Sequence, residues 1–169
     1  SSITGKPIER ASARDLEALL RYEHPELDIE RELERLTEAE FDRFEVYRSL
    51  LLPLEKVKQG RKHHPEGDAL YHSLQVFELA RQQRPYDEEF LLAALLHDVG
   101  KAIDPGDHVE AGLAALDGVI TERTRFLIEH HMEALAVADG TIGHRALRRL
   151  RESPDFEDLM LLRELDSAG

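Results

Sequence analysis

The sequence contains no cysteine, which excludes disulfides, thiolate nucleophiles and sulfur metal ligands. No apolar run approaches the roughly 18 residues needed to cross a bilayer. The first 30 residues carry no signal-peptide-like apolar region, so a cytoplasmic location without membrane association is expected. No segment keeps a period-two alternation, and strands are therefore not expected. Internal repeats and low-complexity tracts are absent too. Positive charge is scarce: 22 Lys and Arg stand against 35 Asp and Glu, a formal net charge of −13. That balance argues against a long nucleic-acid partner, which needs a basic footprint, but leaves room for a small anionic substrate at a locally positive site. Two local basic clusters exist, Lys56–Lys62 ("KVKQGRK") and Arg145–Arg151 ("RALRRLR"). The second reads as a solvated helix face.

What is present is helical punctuation. A chain of 169 residues suits one domain with a single core. The leading "SSITGKP" lacks an initiator Met and is read as a remnant or processed end, outside the fold. Ser12 and Asp15 start a short helix to about Arg21, and Asp28 opens a second. Thr37 and Glu40 form a capping box for a third, which Pro53 ends. Asp68 caps a helix to about Gln83, and Asp87 caps an apolar helix that ends at Gly100. Further helices are expected from about His108 to Leu116, from Glu122 to about Ala138, and over a short basic stretch. A last one has Ser153 as N-cap and Pro154 at its first position. The expectation is an all-α bundle, with residues 1–57 an N-terminal helical extension packed on a core domain of residues 58–169.

Within it, Phe90 to Lys101 reads "FLLAALLHDVGK", an apolar run that ends on His97 and Asp98. An ionised carboxylate removed from water costs several kcal/mol unless it is paired, so partners for Asp98 must come from elsewhere in the chain. Nine histidines are available. His72 shares a face with Val76 and Leu79, His97 with Phe90 and Ala93, His131 with Leu127 and Ile128, and Asp166 with Leu159 and Leu162. Four helices that each turn an imidazole or carboxylate inward must bring those groups together or around an ion. Imidazoles and carboxylates without sulfur suit Fe, Mn, Zn, Ni, Co or Mg. His24, His63, His64 and His144 lie beside Pro, Gly or charged residues and read as loop histidines, while His108 opens a helix after a tight "DPGD" turn.

The order His72, His97–Asp98, His108, His131, Asp166 resembles the HD superfamily of metal-dependent phosphohydrolases over roughly Arg61 to the C-terminus. "HHPEGDALYHSL" with "AALLHDVGK" looks especially like the HD domain appended to bacterial tRNA nucleotidyltransferases, the CCA-adding enzymes. The resemblance implies an HD-domain helical bundle in which His72, His97, Asp98 and Asp166 hold a first divalent ion. It also implies that His108 and His131 hold a second, with Asp98 bridging; His130 is an ambiguous neighbour. No stretch reads as the strand-rich nucleotidyltransferase site, and no "GYP" follows "HHMEA".

The implied activity is hydrolysis of a phosphomonoester or phosphodiester of a small phosphorylated or nucleotide-like substrate, using water activated by one or two divalent ions. In that reading Asp98 and Lys101 are catalytic, and Lys101 also binds the substrate phosphate. His64, Glu66 and Asp68 rim the substrate pocket. Two alternatives stand beside it: a mixed-valent di-iron oxygenase on the same scaffold, and a non-catalytic nucleotide-binding HD module.

Overall fold

The computed structural model describes residues 38–59 and 67–169. Among them the chain is all-α. Eight helices occur: α1 (Glu38–Leu51), α2 (Ala69–Gln83), α3 (Glu88–Leu96), α4 (His108–Ala115), α5 (Glu122–Glu129), α6 (His131–Asp139), α7 (His144–Glu152) and α8 (Phe156–Ala168). Three short 3₁₀ turns join them, and the only β feature among the described residues is one bridge between Lys58 and Asp68. The helices expected near residues 12–21 and from 28, the Thr37 cap, and His24, His63, His64 and Glu66 lie outside the described residues.

α3 is the centre. All seven residues from Phe90 to Leu96 are buried, as expected of a helix that is apolar all round. α2, α5 and α8 pack around it. Tyr47 and Leu51 of α1, with Leu54 just beyond, belong to the same buried cluster. The Tyr47 hydroxyl donates to the carbonyl of Val119, and burial pushes its pKa up to about 12. Side-chain oxygens start three of the helices, at Asp68 and Asp87 as expected and at Thr121 besides. Asp68 accepts from the Tyr71 amide, Asp87 from the Phe90 amide and Thr121 from the Thr124 amide.

Three boundaries differ from the expectation. α3 stops at Leu96 rather than running to Gly100, and the chain tightens into a 3₁₀ turn over Val99–Ala102. The helix expected from Glu122 to Ala138 is two helices, broken at His130, whose backbone sits at φ −104 and ψ 6. At the break the Ile128 carbonyl accepts from the His131 ring at 2.6 Å, so the buried imidazole donates a hydrogen bond to the end of α5. Finally, α8 starts at Phe156 with Asp155 as N-cap. Ser153 instead ends α7 and accepts from the Asp155 amide at 3.1 Å.

Asp155 is held there by Arg123. The guanidinium meets both oxygens of Asp87 (2.6 and 2.7 Å), Asp155 (3.0 Å) and Asp158 (2.7 Å). One cation thus ties the start of α3 and the start of α8 to α5. The bidentate contact with Arg123 holds the Asp87 carboxyl below its ordinary value of 3.8.

A second junction is steric. A Cβ on Gly100 would lie 1.7 Å from the carbonyl oxygen of His108 and 2.8 Å from the amide nitrogen of Gly112. The 3₁₀ turn after α3 and the first turn of α4 therefore touch backbone to backbone, a contact that only glycine permits. This crossing brings His108 alongside Asp98.

Two outcomes follow for stability. Gly100→Ala should lower stability by about 1–3 kcal/mol, the usual cost of overpacking, whereas Gly106→Ala, which meets only ordinary contact, should be near neutral; thermal unfolding measures both. Arg123→Met should cost about 1–3 kcal/mol near neutral pH, the range for hydrogen bonds to charged groups in a partly exposed network. Because the folded Asp87 pKa is depressed, its contribution is present above about pH 4 and lost as pH falls through the folded value. The gap between wild type and Arg123→Met in urea unfolding should accordingly narrow below pH 4.

Candidate metal centre

His97 and Asp98 end α3 inside the core, and the surrounding helices bring donors to them. His72 comes from the buried face of α2, His131 from the first residue of α6, His108 from the first residue of α4 and Asp166 from the last turns of α8. The donor atoms of His72, His97, Asp98 and Asp166 all lie within 4.8 Å of one another, and so do those of Asp98, His108 and His131. Two donors on opposite sides of one ion, each at about 2.2 Å, would be about 4.4 Å apart, so both groups are compact enough to close on an ion with small shifts.

Asp98 belongs to both groups, and its two oxygens divide between them. Oδ2 faces His97 Nε2 at 3.3 Å and His72 Nε2 at 3.8 Å. Oδ1 faces His108 Nε2 at 3.5 Å and His131 Nε2 at 3.7 Å. Asp166 Oδ1 sits between two imidazoles, 2.7 Å from His72 Nε2 and 3.2 Å from His97 Nε2.

The backbone fixes which ring nitrogens point inward. His97 Nδ1 donates to the Ala94 carbonyl at 2.8 Å, and His131 Nδ1 donates to that of Ile128 at 2.6 Å. In the neutral ring each Nε2 then carries a lone pair aimed into the cluster. For His97 that lone pair would face oxygens of two carboxylates, which is repulsive unless a proton or a metal ion lies between them. Burial opposes charge on His97, yet the facing Asp98 and Asp166 outweigh it and hold its pKa well above the ordinary 6.5. Burial likewise opposes charge on Asp98, but His97, His131 and Lys101 hold its carboxyl well below 3.8. Asp166 is lowered in the same way by its two histidines, against burial.

The second group is poised differently. Burial, together with the neighbouring positive groups, lowers the His108 pKa despite Asp98. His108 Nε2 and His131 Nε2 are buried atoms without a hydrogen-bond partner among the described residues. Buried nitrogens left bare are costly, and a divalent ion would satisfy them. The donor set has no sulfur and mixes imidazole with carboxylate, which fits transition metals such as Fe, Mn, Co, Ni or Zn.

Lys101 reaches the edge of the cluster. Its Nζ lies 3.2 Å from Asp98 Oδ2 and donates to Gln59 Oε1 at 3.4 Å. Asp68 caps α2, its Oδ1 accepting from the Tyr71 amide 2.8 Å away, and it is not a member of either donor group. His130 turns away from the cluster and pairs with Glu133 at 2.8 Å. Gln59, the partner of Lys101, was not picked out by sequence reasoning. It lies in a polar loop with no periodicity, 42 residues from the lysine it meets, and no local signal marks it.

Comparison with known proteins agrees with this geometry. Residues 69–168 match the family model of the HD domain. The chain is 33% identical over 138 residues to a multifunctional CCA protein of Pseudomonas fluorescens (strain SBW25), covering 67% of this chain and 32% of that protein. It is 33% identical over 157 residues to one of Paracidovorax citrulli (75% and 37%), and 32% identical over 155 residues to one of Nitrosococcus oceani (81% and 37%). The chain therefore spans about a third of the length of these curated relatives.

Metal titration by calorimetry, after stripping with chelator, reads this centre directly. Asp98→Ala, which removes the oxygens common to both groups, should weaken binding of manganese or zinc by at least about 100-fold, more than the 10–100-fold typical of losing a supporting partner. His108→Ala should lose only the weaker of two binding events. Far-UV circular dichroism of both variants should stay helical.

Proposed function

The chain belongs to the HD domain family, and from that premise we propose that it is a metal-dependent phosphohydrolase acting on a small nucleotide-like phosphate ester. The observation that carries the reading is the division of Asp98, one buried carboxylate whose two oxygens face two separate groups of donors. A single ion would need only one of those groups. The likeness to CCA proteins supports a nucleotide-like substrate.

Divalent ions held at these residues would activate water near neutral pH and would offset the charge of phosphoryl oxygens. The protein's own residues do the rest. His97 and His131, each locked in one tautomer by a backbone carbonyl, present their Nε2 atoms without rearrangement. Asp98 and Asp166 supply the negative charge that makes ion capture favourable in a buried place. Lys101 is only partly exposed, and its ammonium lies within reach of Asp98 Oδ2. Close to the cluster and tethered by Gln59, it can meet a substrate phosphate as a point charge. In this reading Asp98 and Lys101 are the catalytic pair, and Asp68 belongs to the substrate rim.

A panel of phosphomonoesters and phosphodiesters, assayed with metal-loaded protein, tests the proposal. Asp98→Ala should abolish turnover. Lys101→Ala should keep its metal but lose about 10- to 150-fold in kcat/KM, the worth of one charge-assisted hydrogen bond of roughly 1.5–3 kcal/mol. Full activity in Asp98→Ala would overturn the reading. So would oxygen uptake with a mixed-valent iron signal in place of hydrolysis.

A further inference from the structure

α7 carries "HRALRRLRE", four arginines against one glutamate, in a chain whose net charge is −13. At 100° per residue Ala146, Leu147 and Leu150 fall on one side, and Leu150 is buried in the core. Arg145, Arg148, Arg149 and Arg151 fall on the other, all exposed. None of the four makes an ion pair among the described residues. Elsewhere Arg43 meets Glu88, Arg81 meets Glu78, Arg84 meets Asp158 and Arg123 meets three aspartates. Among the described residues, then, no carboxylate takes up these four guanidinium groups, and folding does not explain the face they form.

Beside this face lies a cleft of about 350 Å³, lined by Phe126, His130, Glu133, Ala146, Arg149 and Leu150. Its wall is aromatic: the Phe126 and His130 rings lie 4.6 Å apart at 53°. The negative group in the cleft, Glu133, is already engaged by His130 Nδ1 at 2.8 Å. Arg149 belongs both to the cleft and to the basic face, so the two features are continuous.

We infer that the exposed face of α7 and the adjoining cleft bind a short single-stranded nucleic acid, its phosphates on the arginines and a base against the Phe126–His130 wall. Arginines strung along a nine-residue helix, about 13 Å long, cover more than one phosphate, so successive phosphates of a strand suit them better than a lone anion does. An aromatic ring beside a cationic track is the combination that single strands use, since every base has a face to stack. A duplex would keep its bases out of the cleft. The global charge limits how long the bound strand can be, because phosphates beyond the arginines meet an acidic surface. This site is separate from the metal cluster, and its test is made with metal removed.

The experiment is fluorescence anisotropy of a labelled twelve-nucleotide oligoadenylate with the full chain in chelator. Saturable binding should weaken about 50-fold between 50 and 200 mM salt if four phosphates are engaged, since single strands show a slope of about −0.7 per contact. Arg148→Glu with Arg149→Glu should lower affinity at least about 10-fold and leave metal titration unchanged. Phe126 also packs on the core, so Phe126→Leu, which keeps bulk while removing the aromatic face, is the stacking variant. It should cost about 5- to 150-fold, the range for one stacked base. Unchanged affinity in the double arginine variant would overturn the inference. Equal competition by linear polyphosphate or by a duplex of the same length would do so as well.

Discussion

Everything in this fold turns on one buried negative charge. Asp98 is 3% exposed, deep enough that an unpaired carboxylate would cost several kcal/mol. Its neighbours are four imidazoles and one ammonium, reached from α2, α3, α4, α6 and the 3₁₀ turn after α3. No neutral set of these groups is comfortable. If His97 were neutral, its lone pair would face carboxylate oxygens, so the cluster requires positive charge from protons or from metal ions. An apolar core of the same volume could be as stable or more so. That this core keeps charge at its centre is an argument that the charge serves something other than folding.

The architecture can be understood as the means of delivering donors to Asp98. α3 is buried from Phe90 to Leu96 at the middle of the bundle, which fixes the position of the carboxylate. The helical path ends at Leu96, and the tighter 3₁₀ turn sends Lys101 back toward Asp98, three residues behind it. Gly100 then lets the backbone at His108 approach within contact distance. The break at His130 serves the same end. It leaves His131 as a first-turn residue whose ring can hydrogen-bond to Ile128 and still point its other nitrogen inward. Far from the cluster, Arg123 holds the starts of α3 and α8 together, and α8 carries Asp166.

Much of this was legible in the residues. The all-α class follows from capping residues and 3.6-residue periodicity, and Asp68, Asp87 and Gly140 mark their helix ends where local chemistry says they should. The inward histidines are legible because a helix face is a local property: His72 and His97 lie in line with Val76 and Phe90, and all four are buried. What escaped depends on partners distant in the chain. The N-cap of α8 moved from Ser153 to Asp155, a residue held by Arg123, 32 residues earlier. The break between α5 and α6 has no glycine or proline to announce it; a ring-to-carbonyl bond marks it instead. Gln59 could not be found for the same reason, as its meaning lies wholly in Lys101.

The basic helix shows where a compositional argument has to yield to a structural one. Net charge governs the field felt many ångströms away, and at physiological salt that field decays over about 8 Å. Contact between a guanidinium and a phosphate is decided inside that distance. In sequence, "RALRRLR" reads as a solvated helix face, and its four arginines are indeed exposed. Among the described residues acids pair with Arg43, Arg81, Arg84 and Arg123, while the four arginines of α7 make no ion pair. The same reasoning applies at the metal cluster, where carboxylates that repel a distant phosphate are the groups able to assemble the positive charge that would hold one. In both places charge is segregated over a few ångströms, and an anion arriving there would meet that local charge rather than the chain's overall balance.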